Sequence, residues 1–149
     1  MERKALFSGT FDPFTNGHHA LVRRALPLFD HIIIGLGYND EKKERFPINY
    51  RIQYIKDIYK DEPRVKVMSY TSMTIDFAKE MGVDFLLRGI RNISDYEYEK
   101  KMAEINRQLG GIDTVFLFSE PEYEYLSSSL IRELDRYHKD ISHLTPQIQ

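Results

Sequence analysis

Five short apolar runs, separated by stretches of helical periodicity, set the limits on what this chain can fold into. Residues 4–8, 31–36, 65–70, 83–87 and 114–118 are rich in Val, Ile, Leu and Phe. Two of them, around Ile32-Ile33-Ile34 and Phe85-Leu86-Leu87, lack the polar alternation of a sheet with one wet face. Continuous apolarity of that kind belongs to strands covered on both sides, as in a parallel sheet. Between the runs, Val22, Ala25, Leu26 and Phe29 fall at helical spacing, with Pro27 ending or kinking the helix. Residues 49–59 carry Ile52, Ile55 and Tyr59 on one stripe, and residues 74–81 form a shorter case. Residues 95–109 present Tyr98, Met102, Ile105 and Leu109, with Gly110-Gly111 as a stop. A last helix opens at the serine run from Ser127, which can cap it, and turns Leu130, Ile131 and Leu134 inward. The order β-α-β-α-β-α-β-α-β-α predicts a doubly wound α/β fold around a five-stranded parallel sheet, its helices serving as crossovers. Ligands in such a fold sit beyond the strand C-termini, at the point where the strand order reverses.

At 149 residues the chain reads as one domain, 1–149, large enough for a full core. A net charge of −2 gives no general footprint for nucleic acid, so anion binding has to come from local clusters. There is no cysteine, which removes disulfides, thiolate metal sites and thiol nucleophiles and suits a reducing cytoplasm. The first seven residues lack the apolar run of a signal peptide, and no stretch approaches the roughly 18 apolar residues of a membrane span. A soluble, cytoplasmic protein is the expectation. Residues from His138 onward are polar and read as a short helix or tail.

Three segments carry candidate chemistry. The first, Ser8-Gly9-Thr10-Phe11-Asp12-Pro13-Phe14-Thr15-Asn16-Gly17-His18, leads from the first strand into the first helix. Gly9 lets the backbone approach a phosphate, Thr10 offers a hydroxyl and an N–H, and Gly17-His18 stand at a helix N-terminus that favours anions. The same residues also read as a turn capped by Thr15-Asn16 with a solvent-facing His18, and His19 has no assigned role. The second segment is Arg88-Gly89-Ile90-Arg91, read as lying just after a strand, followed by Asp95, Glu97, Tyr98 and Glu99. Two arginines there can grip phosphates with their forked guanidinium groups. Helix capping competes with ribose binding for Asp95 and Glu99. The third is Ser127-Ser128-Ser129, after Tyr123 and Tyr125, either a second phosphate cradle or simply an N-cap. Lys42 and Lys43, in a polar loop after the second strand, are a cation at the ligand edge or two solvated side chains.

All these loops share the C-terminal edge of the predicted sheet. No paired-carboxylate set, Ser-His-Asp arrangement or metal-ligand spacing competes with them. A site that only clamps phosphates suits a reaction whose nucleophile is already anionic and needs alignment and charge neutralisation, not proton transfer.

On these residues the chain resembles the phosphopantetheine adenylyltransferases, within the nucleotidyltransferase superfamily marked by (H/T)xGH. The signature stands as Thr15-Asn16-Gly17-His18; the second block matches Arg88-Gly89-Ile90-Arg91 through Glu99, with Asn106-Arg107 following; the third matches Ser127 to Glu133. The resemblance implies the Rossmann-like nucleotidyltransferase fold and transfer of the adenylyl group of ATP to 4′-phosphopantetheine, giving dephospho-coenzyme A and pyrophosphate. It implies ATP along Gly9, Thr10, Phe11, Gly17, His18, Gly89, Ile90, Arg91, Asp95, Glu99 and the segment Tyr123, Glu124, Tyr125, Leu126, Ser127, Ser128, Ser129. His18 would stabilise the transition state, in a catalytic set with Thr10, Lys42, Arg88 and Arg91. Thr10, Lys42 and Arg88 would orient the acceptor phosphate, with Thr74 and Glu133 along the pantetheine arm. Mg²⁺ would arrive with ATP, no metal ligand is implied on the chain itself, and a homohexamer follows by analogy. Position 123 is Tyr where relatives often carry Trp, which keeps an aromatic contact. Rival expectations are a nicotinamide-mononucleotide or cytidylyl transferase, which would lack the second block in this form, a silent nucleotide-binding module, which would lack the reactive set, and an unrelated α/β domain.

Overall fold

Each apolar run becomes a strand, and the three central ones are buried on both faces. In the computed structural model, which describes residues 1–39 and 43–148, β1 (Lys4–Gly9), β2 (His31–Gly37), β3 (Val65–Tyr70), β4 (Phe85–Ile90) and β5 (Asp113–Phe118) form one parallel sheet. Their order is β3-β2-β1-β4-β5. Successive side chains point to opposite faces. Ala5, Phe7, Ile32, Ile34 and Leu87 join a core with α1 (Asn16–Ala25) and α2 (Ile48–Ile58). Leu6, Ile33 and Leu86 join a second core with Ile75, Phe77 and Ala78 of α3 (Thr74–Glu80). The next helix, α4 (Ile93–Gly110), packs on α3, β4 and β5. α5 (Ser128–Arg136) buries Ile131 with Leu126 and Leu144 in a small satellite cluster.

The helices start and stop where their side chains allow. Thr15 caps α1, Asn92 caps α4 through the Asp95 N–H, and Ser127 caps α5 through the Leu130 N–H. α1 ends at Ala25, two residues before Pro27, while α4 ends at Gly110 because Gly111 takes the left-handed conformation at φ 67°.

Strand pairing opens the site. β1 pairs with β2 along its whole length, from Lys4↔His31 to Gly9↔Leu36. With β4 it pairs only from Ala5↔Phe85 to Phe7↔Leu87. Beyond those residues the two central strands part, and they do so where the winding reverses.

Two expectations change. The fourth strand starts at Phe85, not Val83, and runs on through Arg88, Gly89 and Ile90, because β5 keeps pairing with it up to Ile90↔Phe118. Arg88 is therefore a strand residue and not a loop residue. The stripe on α4 does not face the core: Tyr98, Ile105 and Leu109 are exposed, while Glu99 and Asn106 are buried. α4 lies over the parted strand ends, so Tyr98 and Met102 line the cleft beside Glu99 and Asn106, while Ile105 and Leu109 face outward. Leu87, fully buried on the central β4, is the natural probe of the core. Leu87→Ala is expected to cost about 2–5 kcal/mol in urea unfolding, from lost burial and the cavity left behind.

Candidate active site

The loop from β1 into α1 is built around His18. Gly9 leaves room for the Phe11 ring, which a Cβ at position 9 would meet at 3.0 Å. Phe11, at φ 50°, turns its ring under the strand end. There Phe7, Phe11 and Phe14 surround the His18 imidazole, with ring centroids 6.1, 4.9 and 5.3 Å away. A reciprocal cap fixes the ring: the Thr15 hydroxyl accepts from the His18 N–H at 3.2 Å, and the Thr15 N–H donates to His18 Nδ1 at 2.9 Å. Histidine thus plays the part that Glu or Gln plays in the usual capping box. A ring nitrogen that accepts an N–H carries no proton, so the neutral ring bears its proton on Nε2. Burial, then the charges of Arg88 and Arg91, push the His18 pKa down to about 3. The imidazole is a neutral hydrogen-bond donor at any physiological pH.

The two arginines are held by carboxylates. Arg88 Nε donates to both Glu99 oxygens at 3.1 and 3.0 Å, Nη2 to Oε1 at 2.6 Å, and Nη1 to the Ser8 carbonyl. Burial opposes the charge on Arg88, but the bonds to Glu99 outweigh it and raise its pKa above the usual arginine value. Arg91 pairs with Asp95, Nε to Oδ2 at 3.0 Å, and its Nη1 donates to the Leu126 carbonyl at 3.1 Å. Glu99 and Asp95 therefore spend their oxygens on arginines.

A cleft of about 1040 Å³ opens from the parted strands. Gly9, Thr10, Thr74, Arg88 and Glu99 line it. Thr74 is held by its hydroxyl, 2.8 Å from that of Tyr70. Gly17 lies at the start of α1 against Tyr123, whose Cβ would stand 3.7 Å from a Cβ there. Ile90 and Leu126 are buried, while Gly89 faces Leu21 of α1 so closely that a Cβ would meet it at 2.6 Å. Ser127 caps α5, the Ser128 hydroxyl donates to the Pro13 carbonyl at 2.8 Å, and Ser129 accepts from Arg132 at 3.0 Å. Glu124 and Tyr125 are exposed beside them. Glu133 is also exposed and does not line the cleft; its neighbour Arg132 does. Lys42 lies outside the described residues, and Lys43 lines the cleft.

A profile of the cytidylyltransferase-like family matches residues 6–134. The chain is 54% identical over 145 residues to the phosphopantetheine adenylyltransferase of Bacteroides thetaiotaomicron, covering 97% of this chain and 96% of that protein. It is 51% identical to the protein of the same name from Bacteroides fragilis, covering 97% of each. The chain belongs to the phosphopantetheine adenylyltransferase family, within the cytidylyltransferase-like proteins. A solved bifunctional NMN adenylyltransferase/ADP ribose pyrophosphatase from Francisella tularensis matches with a TM-score of 0.74 at 14% identity, over 100% of this chain and 46% of that one. That likeness carries the fold alone.

Residues to which the sequence reading gave no role complete the site. Asp12, Arg51 and Arg132 all line the cleft, as does the buried Asn106. Arg51 had a signal: it stands one turn before Ile55 and two before Tyr59, a charge on an inward stripe. Asp12 had none, since only the folded loop brings partners to its carboxylate.

The His18 environment makes a prediction about acid. The unfolded ring takes a proton near pH 6.5 and the folded ring only near 3, so the unfolded state binds more protons between these values. Stability contributed by the neutral ring is present above about pH 6.5 and is lost as pH falls toward 3. In an NMR titration the His18 ring should remain the neutral Nε2–H tautomer from pH 8 to 5; protonation near 6.5 would contradict the assigned environment.

Proposed function

We propose that this chain transfers the adenylyl group of ATP to 4′-phosphopantetheine, forming dephospho-coenzyme A and pyrophosphate. The observation that carries this reading is a neutral imidazole, its Nδ1 taken by a backbone N–H, close to two carboxylate-held guanidinium groups where the central strands part. Such a site offers donors and positive charge but no base. The acceptor needs none, because a phosphate monoester already carries its second negative charge above pH about 6. An oxygen of that phosphate attacks the α-phosphorus of ATP. A new P–O bond forms, the bond from the α-phosphorus to the bridging oxygen breaks, and pyrophosphate leaves with the electron pair.

In this reading Thr10, Lys42 and Arg88 hold the acceptor phosphate, and Thr74 lies along the pantetheine arm. His18 donates Nε2–H to the α-phosphoryl oxygens as their charge builds, and Arg91 adds positive charge nearby. ATP runs over the Gly9–Phe11 turn, Gly17 and the Gly89–Arg91 segment, toward Tyr123 to Ser129. Glu99 and Asp95 act through the arginines they hold. Glu133, exposed outside this cleft, receives no role.

Mg²⁺ would neutralise the triphosphate. The chain's carboxylates do not suit a protein cage for it: Asp12 accepts two backbone N–H groups, Glu99 is taken by Arg88, and Glu44 pairs with Arg51. Among the described residues no three His, Cys, Asp or Glu side chains gather to hold a metal ion. The ion's ligands would then be phosphate oxygens and water.

The cytoplasm is the proposed location; no helix among the described residues is long and apolar enough to cross a membrane. A homohexamer is the proposed assembly, supported by Ile105 and Leu109, exposed along α4. Sedimentation should give about six times 17.7 kDa, and Ile105→Asp with Leu109→Asp should yield smaller species.

Incubating the protein with ATP, Mg²⁺ and 4′-phosphopantetheine should release pyrophosphate. Release with nicotinamide mononucleotide alone as acceptor would sink the assignment. His18→Ala should lower kcat by about 10²–10³, with ATP affinity within about threefold, because its bond strengthens in the transition state.

A further inference from the structure

Arg51 occupies a position where α2 otherwise turns Ile55 and Tyr59 into the core, and it is 2% exposed. Burying a guanidinium carries a desolvation penalty, and an apolar side chain of similar volume is often as good or better for stability alone. Its partners show what the cation does there. Nη1 donates to the Thr10 carbonyl at 2.7 Å, Nε to the Phe46 carbonyl at 2.8 Å and Nη2 to Glu44 Oε1 at 2.5 Å. All three guanidinium nitrogens are used, on two different segments.

Asp12 makes the same connection from the other side. Its carboxylate, 3% exposed as a residue, accepts the N–H of Arg45 and of Phe46, each at 2.8 Å. Thr10, Asp12, Lys43 and Glu44 all line the cleft. Buried hydrogen bonds to charged groups thus tie residues 10–12 to residues 44–46.

We propose that Arg51 is a positioning residue for the acceptor-phosphate half of the cleft. It fixes the Thr10 backbone and the segment after Lys43 in one geometry, so that the phosphate meets both segments at once. It works through those residues and does not itself touch substrate. This rests on the adenylyl-transfer reading for its kinetic consequence but not for the coupling itself. Lysine cannot replace it, because a single ammonium has no rigid fork with which to reach three separated acceptors.

The test compares Arg51→Lys and Arg51→Met with wild type, in steady-state kinetics and in amide hydrogen exchange. Arg51→Lys should raise the KM for 4′-phosphopantetheine about tenfold or more while the KM for ATP stays within about threefold. The Arg45 and Phe46 amides should lose at least about tenfold in protection, while those of Ile32 to Ile34 keep theirs. A variant that merely melts earlier, with both KM values and the loop amides as in wild type, overturns the proposal. So does an equal rise in both KM values. If wild type releases no pyrophosphate with this acceptor, the functional reading fails, and loop-amide protection alone decides the coupling. Should Arg51→Met fail to fold, the Arg51→Lys protein alone supplies both measurements.

Discussion

Where β1 and β4 part, Arg88 takes the place of the missing strand ladder. Its guanidinium holds the Ser8 carbonyl on one strand and the Glu99 carboxylate on the helix above, and it is itself part of the other strand. A parting of two central strands would otherwise leave backbone groups unpaired at the heart of the sheet. The same cation that closes this gap supplies charge to the cleft and helps keep His18 neutral. Fold and chemistry share one side chain here, and Glu99 is buried because it must hold that side chain still.

The cap on α1 has a similar double use. Thr15 ends the loop and starts the helix, yet its N–H also selects the proton-bearing nitrogen of His18. Three phenyl rings then pack around the imidazole. What results is a donor preset before any ligand arrives, which is how a site stabilises developing charge without reorganising. The proposed reaction needs no base beside such preset donors and cations, because the nucleophile arrives charged.

Much of this is legible in the sequence, and the reasons differ by residue. Continuous apolar runs identify buried parallel strands, and Ile32-Ile33-Ile34 does fill both faces of β2. Cap residues Thr15 and Ser127 and the stop at Gly111 follow from local rules that tertiary contacts do not overturn. The inward face of α4 is not legible: periodicity finds an apolar stripe but cannot say that the cleft claims Glu99 and Asn106 while Ile105 and Leu109 turn outward. The bounds of β4 escape it for a related reason, since Val83 is buried just before the strand and only pairing with β5 carries the strand to Ile90. Asp12 and Arg132 depend on partners far away in the chain, and local patterns are silent on such pairs. Lys42, central to the expected phosphate clamp, lies outside the described residues.

The central claim is that this cleft aligns two phosphates for direct transfer and lends no nucleophile of its own. Stereochemistry at the transferred phosphorus tests it most directly. With ATP made chiral at the α-phosphorus by a single sulfur substitution, one in-line displacement inverts the configuration in the dephospho-coenzyme A product. Inversion is the predicted result. Net retention would mean two displacements through a covalent adenylyl-protein intermediate and would contradict direct transfer.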